Sequence, residues 1–68
     1  MFLLVTELPK RPVIINTDHI VRIERPDSHT DHSKLFFTDK SVMFVVSSFE
    51  DWGAFVATNH LPETQRGP

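Results

Sequence analysis

Clusters of Pro, Asp, Asn and Ser cut the chain into five short apolar runs, each about the length of an ordinary strand. They are Phe2 to Leu8, Val13 to Asn16, Ile20 to Glu24, Lys34 to Thr38 and Val42 to Ser47. Pro9-Lys10-Arg11-Pro12 separates the first two. Each proline fixes φ and removes a donor, so this segment predicts a hairpin turn. Asn16-Thr17-Asp18-His19 carries side chains that bond the local backbone, and it predicts a tight turn or a single helical turn. Pro26 to Ser33 is the longest polar stretch and predicts a loop.

After the fifth run the period changes. Ser47 with Glu50, or Ser48 with Asp51, makes a capping box, and the acids suit the positive end of a helix dipole. Phe49, Trp52, Phe55 and Val56 then form one apolar stripe, with Phe49, Trp52 and Phe55 the expected core anchors. Gly53 interrupts this stripe, either as a close approach to the sheet or as a tolerated weak position. Asn59 can stop the helix, which makes residues 1–60 one small domain and Leu61 to Pro68 a disordered tail. The expected fold is mainly β, in the order β-β-β-β-β-α. It is a small antiparallel meander curled into a sheet or SH3-like half-barrel, with one C-terminal helix over one face.

Val42-Met43-Phe44-Val45-Val46 and Leu35-Phe36-Phe37 are apolar on both faces, and one short helix covers only one side. Closure is expected to turn Val42, Phe44 and Val46 inward. Met43 and Val45, with Phe36, would then face outward in a homo-oligomeric interface, a two-fold dimer being the commonest solution. Chain length agrees with a need for such cover. A domain of 68 residues has a marginal core, and without cysteine it has no disulfide to add.

Absence of cysteine also removes thiolate chemistry and fits a reducing cytoplasm. The N-terminal run Met1 to Val5 has no basic flank and is broken by Thr6 and Glu7, so it reads as a strand of a cytoplasmic protein. The net charge of −2 gives no broad field for nucleic acid. Arg22, Arg25 and Lys34 near Phe36 keep a small-barrel binder of RNA or single-stranded DNA as the alternative.

No catalytic constellation can be assembled. Asp18 and His19 adjoin in a turn, Ser47 and Ser48 are explained by capping, and Gly53 and Gly67 do not make a phosphate loop. The loop Asp27-Ser28-His29-Thr30-Asp31-His32 holds ligand-type side chains at unspecific spacing and is expected to bind no metal. Leu61-Pro62-Glu63-Thr64-Gln65 is similar to a sorting signal but ends in Gln, with no hydrophobic segment after it. No cofactor is expected.

Val5-Thr6-Glu7-Leu8, Val13 to Glu24, Leu35 to Asp39, Val42 and Ser48-Phe49-Glu50-Asp51 together resemble the FlbD family, small bacterial proteins often encoded among flagellar genes. The resemblance spans about residues 5 to 56. It implies a non-catalytic regulatory or assembly factor that acts through protein contacts. A phage-borne relative that inhibits a host protein is a further alternative. The family places glycine where this chain has Lys40, and a type I′ turn at Asp39-Lys40 would hold Lys40 at positive φ. A different or longer loop is therefore expected there.

Overall fold

The computed structural model describes residues 1–27 and 31–61. The mainly β expectation holds. Strands β1 (Phe2–Glu7), β2 (Arg11–Asn16), β3 (Ile20–Glu24), β4 (Ser33–Phe37) and β5 (Val42–Val45) form one open antiparallel sheet, followed by helix α1 (Phe49–Thr58).

The strand order is β2-β1-β5-β4-β3, which differs from a simple meander. A meander would pair β2 with β3. Here those two strands are the opposite edges, and β5 returns to lie beside β1 through Glu7↔Val45. The link between the edges is one turn of 3₁₀ helix, Thr17–His19, capped by the Asn16 side chain, which accepts from the Asp18 amide at 3.1 Å. At about 2 Å rise per residue such a turn spans only roughly 10 Å, so the sheet must curl until its edges approach. Two backbone bonds hold the link in place. The Thr17 amide donates to the Met1 carbonyl and the Thr38 amide to the His19 carbonyl, both at 2.8 Å.

Sequence alone begins β2 at Val13, because Pro12 lacks the donor that a strand interior needs. In the structure Pro12 lies within β2, opposite Thr6. Leu8 donates to Phe44 and Thr6 accepts from Val46, so the even-numbered residues of β1 bond toward β5 and the odd-numbered ones toward β2. Pro12 therefore turns its missing donor to the free edge, where no ladder bond is lost.

The concave face carries the core. Val5, Ile15, Leu35 and Val45 are buried there, with Leu3, Val13, Ile20, Ile23, Phe37 and Met43 packed around them. This reverses the expected faces of β5. Register pairs Met43 with Leu35 and Val45 with Ser33, which turns Met43 and Val45 inward and leaves Val42, Phe44 and Val46 outside. Strand faces are set by a one-residue choice, and a run apolar at every position carries no alternation to make that choice. Beside Val45, the buried Ser33 hydroxyl donates to the Ser47 carbonyl at 2.8 Å, which ties the start of β4 to the end of β5.

Of the two possible capping boxes, the structure uses Ser48 and Asp51. The Ser48 hydroxyl accepts from the Asp51 amide at 3.0 Å, and the Asp51 carboxylate accepts from the Ser48 amide at 3.4 Å. At the other end Asn59 takes the left-handed conformation, φ 61°, and its amide donates to Phe55. Trp52 is fully buried and meets Phe55 edge-on, with ring centroids 5.5 Å apart. Its Nε1 is buried with no hydrogen-bond partner among the described residues.

Phe49 is not a core anchor. It is 44% exposed at the first turn, beside the end of β3, with the Arg25 guanidinium 5.4 Å above its ring and paired to Glu50. Gly53 marks no close approach either, since a Cβ there would meet nothing within 4 Å. Leu61, taken from sequence to begin a disordered tail, is 0% exposed and belongs to the core. Leu61 is the first apolar residue after the helix stop at Asn59. The rest of that expected tail lies outside the described residues.

The β4–β5 loop is, as expected, not a two-residue type I′ turn: three residues, Thr38 to Lys40, separate Phe37 from Ser41, and of these Lys40 alone takes positive φ. Lys40 donates to Phe37 and Phe37 to Ser41, both at 3.0 Å, with Lys40 left-handed at φ 72°. The strain is accepted because the turn is anchored on both sides. Relief of that strain, less the flexibility added to the unfolded chain, should make Lys40→Gly more stable by about 0.5–1 kcal/mol. A lower denaturation midpoint for that variant would contradict this account. Trp52→Ala should cost about 3–5 kcal/mol, a large part of the roughly 5–15 kcal/mol that holds a domain together. A melting curve matching wild type would show α1 to be peripheral.

Candidate interaction surfaces

Three features could meet another molecule, and all follow from the curl. The first is the convex outer face. β1, β2 and β5 are apolar on both sides, so satisfying the core leaves the opposite set in solvent. Leu4 faces Ile14 across the β1–β2 pair, with Phe2 beside them, and Thr6 leads on to Val46, Phe44 and Val42. Phe2 is 74% and Ile14 68% exposed. Scattered apolar residues on a surface are ordinary, but a row of them across three strands is not. Of the apolar residues on this face, the sequence marks only Phe36 as an outward interface residue. The same signal, apolar residues at consecutive positions, was present in Phe2 to Val5 and Val13 to Ile15 as well as in Val42 to Val46.

Toward β3 the same face turns cationic. Arg22 lies 4.2 Å and Lys34 5.0 Å from the centroid of Phe36, and Lys34 is 5.6 Å from that of Phe44. Arg22 also pairs with Glu24 at 3.0 Å. The three candidate nucleic-acid cations are thus divided. Arg22 and Lys34 converge on Phe36, whereas Arg25 turns to Phe49 and Glu50 at the helix. His32 lies on the outer side as well, its ring 6.0 Å from Phe44. His29 lies outside the described residues. Among the described residues no three His, Asp or Glu side chains gather as metal ligands would.

The second feature is a cleft of about 400 Å³ on the concave side, between the β2–β3 link and the β4–β5 turn. Ile15, Phe37 and Met43 form its apolar part, and Asn16, His19 and Asp39 its polar part. The groups there are largely committed to the fold. Asn16 Oδ1 accepts from the Asp18 amide at 3.1 Å, His19 Nδ1 lies 3.3 Å from the Thr38 hydroxyl, and Asp39 accepts from both the hydroxyl and the amide of Ser41. The Ser41 hydroxyl, then its amide, hold the Asp39 carboxyl below its usual 3.8.

The third feature is a groove of about 340 Å³ between the free edge of β3 and the side of α1. It is lined by Val21, Ile23, Phe49, Gly53 and Val56 among others. Val21 sits at an irregularity in the β3–β4 register and is exposed, as is Val56 at 76%. Compared with protein-family models, curated proteins and solved structures, the chain matches none. Function has therefore to be argued from these surfaces.

Asp39 gives the cleft a measurable property. Its folded-state pKa is depressed, so its stabilising effect is complete above the unfolded value and is lost as pH falls through the folded one. Ser41→Ala should raise the Asp39 pKa in a carboxyl NMR titration and flatten the acid limb of the stability curve below about pH 4. An unchanged titration would show that the hydroxyl contact does not govern this carboxylate.

Proposed function

We propose that this protein is a non-catalytic regulatory or assembly module that docks a protein partner on its outer sheet face and also self-associates. The exposed row Phe2, Leu4, Ile14, Val46 and Phe44 is the observation that carries this reading. A marginal fold does not gain by leaving such residues in water unless something covers them. The resemblance to the FlbD family supports the same class of function, and a phage-borne inhibitor of a host protein would use the same face. No helix among the described residues is long and apolar enough to cross a membrane. The reading places the protein in the cytoplasm.

Binding of RNA or single-stranded DNA is the second reading, favoured by Arg22 and Lys34 beside Phe36. Two facts weigh against it. The net charge is −2, and the cations already occupy the ring on which a base would stack.

A photoreactive side chain placed at Leu4 should give one discrete crosslinked partner in native cells, while the same group at Lys10 should not. The purified partner should then bind in vitro, with affinity lost in Ile14→Asp and little altered by salt. Crosslinking equal at both positions would remove the outer face from the reading. Salt-sensitive binding of an oligonucleotide, abolished by Lys34→Glu, would favour the second reading instead.

A further inference from the structure

The free edge of β3 can be followed atom by atom. Phe37 bonds across to Ser41 and Thr38 to His19, so the odd-numbered residues of β4 bond toward β5 and the even-numbered ones toward β3. Lys34 and Phe36 face Glu24 and Arg22 in register. Arg22 and Glu24 therefore spend their backbone groups on β4. The N–H and C=O of Ile23, between them, point out of the sheet. An edge of this kind is a template for another strand.

We propose that β3 pairs antiparallel with β3 of a second copy, about a two-fold axis between the two Ile23 residues. This gives the self-association proposed above a definite surface, apart from the outer face. Two patterns select that axis. In the strand, centring on Ile23 makes each Ile23 bond to its counterpart and sets Arg22 opposite Glu24 of the other copy on both sides, so each charge meets its opposite. Centring on a neighbour would set like charges face to face. The existing Arg22–Glu24 pair then becomes one side of a four-charge ring.

The second pattern lies in the helix. Phe49, Gly53 and Val56 fall at one side of α1, over the groove that Ile23 also lines. The same axis brings the two helices together antiparallel, with Phe49 of each against Val56 of the other and Gly53 near Gly53. Phe49 and Val56 are exposed, and Gly53 has open space around it in the single chain. One rotation thus closes an unpaired edge, pairs two charges and covers an apolar helix side. Both patterns read the same in either direction, as an isologous contact requires. Val21 would be covered at its margin.

Light scattering after size exclusion should give the mass of two chains at tens of micromolar. Arg22→Glu, an exposed change that circular dichroism should show to be folded, puts two acids opposite each other and should weaken the dimer about tenfold or more. Arg22→Glu combined with Glu24→Arg should restore it. Gly53→Ala should weaken the dimer while raising the melting temperature of the monomer, since the added methyl meets nothing in one chain and improves the helix. In wild type, exchange of the Ile23 amide should slow as protein concentration rises. A wild-type mass of one chain overturns the proposal. So does a dimer indifferent to Arg22→Glu, a charge swap that stays monomeric, or an Ile23 amide whose exchange ignores concentration. Ile14→Asp should leave the dimer intact, so that loss of partner docking and loss of self-association are read separately.

Discussion

The short link from Asn16 to Ile20 is the constraint on which the rest of the fold depends. It joins the two outermost strands of the sheet, so a flat arrangement is excluded by chain length alone. Curling follows, and from curling come a concave face small enough for one helix to fill and a convex face that nothing in the described chain covers. The turn holds because Asn16 caps it, Met1 and Thr38 bond it from two sides, and no buried side chain is asked of it. Local polar chemistry therefore sets a global shape.

Trp52 completes the inside of that shape. Its ring reaches into the curl near Leu35, Val45 and Leu61, and its indole N–H goes in without a partner among the described residues. An unsatisfied buried donor costs about 1–3 kcal/mol, which the burial of a large ring outweighs. Phe49 contributes little at the same helix because its place in the first turn lies past the margin of the curl. Arg25, which bonds the adjacent Glu50, covers Phe49 instead.

Element order, the 3₁₀ turn, the capping box and the helix stop at Asn59 were legible because each depends on neighbours in sequence. What sequence did not disclose depends on partners far along the chain. The pairing of β5 with β1 is one case. The face of Val45 is another, since Val42 to Val46 offers no polar residue to mark the outside. Leu61 was misread because it stands among polar residues and its burial depends on where the helix ends. The loop after Phe37 was legible as something other than a type I′ turn, but not that Lys40 would still take positive φ, at the last position of a three-residue loop held on both sides. Of the candidate surfaces, sequence found Phe36 and its two cations. It missed the edge of β3, which exists only because β2 lies at the other side of the sheet.

The join between β1 and β5 has a consequence for how the chain comes apart. It rests on one register pair and the two flanking bonds Leu8 to Phe44 and Val46 to Thr6, between residues nearly forty positions distant. On one side stands a hairpin of neighbouring residues, and on the other a three-strand unit with its helix, both paired over much shorter sequence separations than the join itself. Loop-closure entropy makes such a long-range join the last to form, and its few bonds make it the first to open. A mechanical pull that separates Phe2 from Thr58 would part the molecule along this line, leaving two pieces still hinged at Thr17–His19.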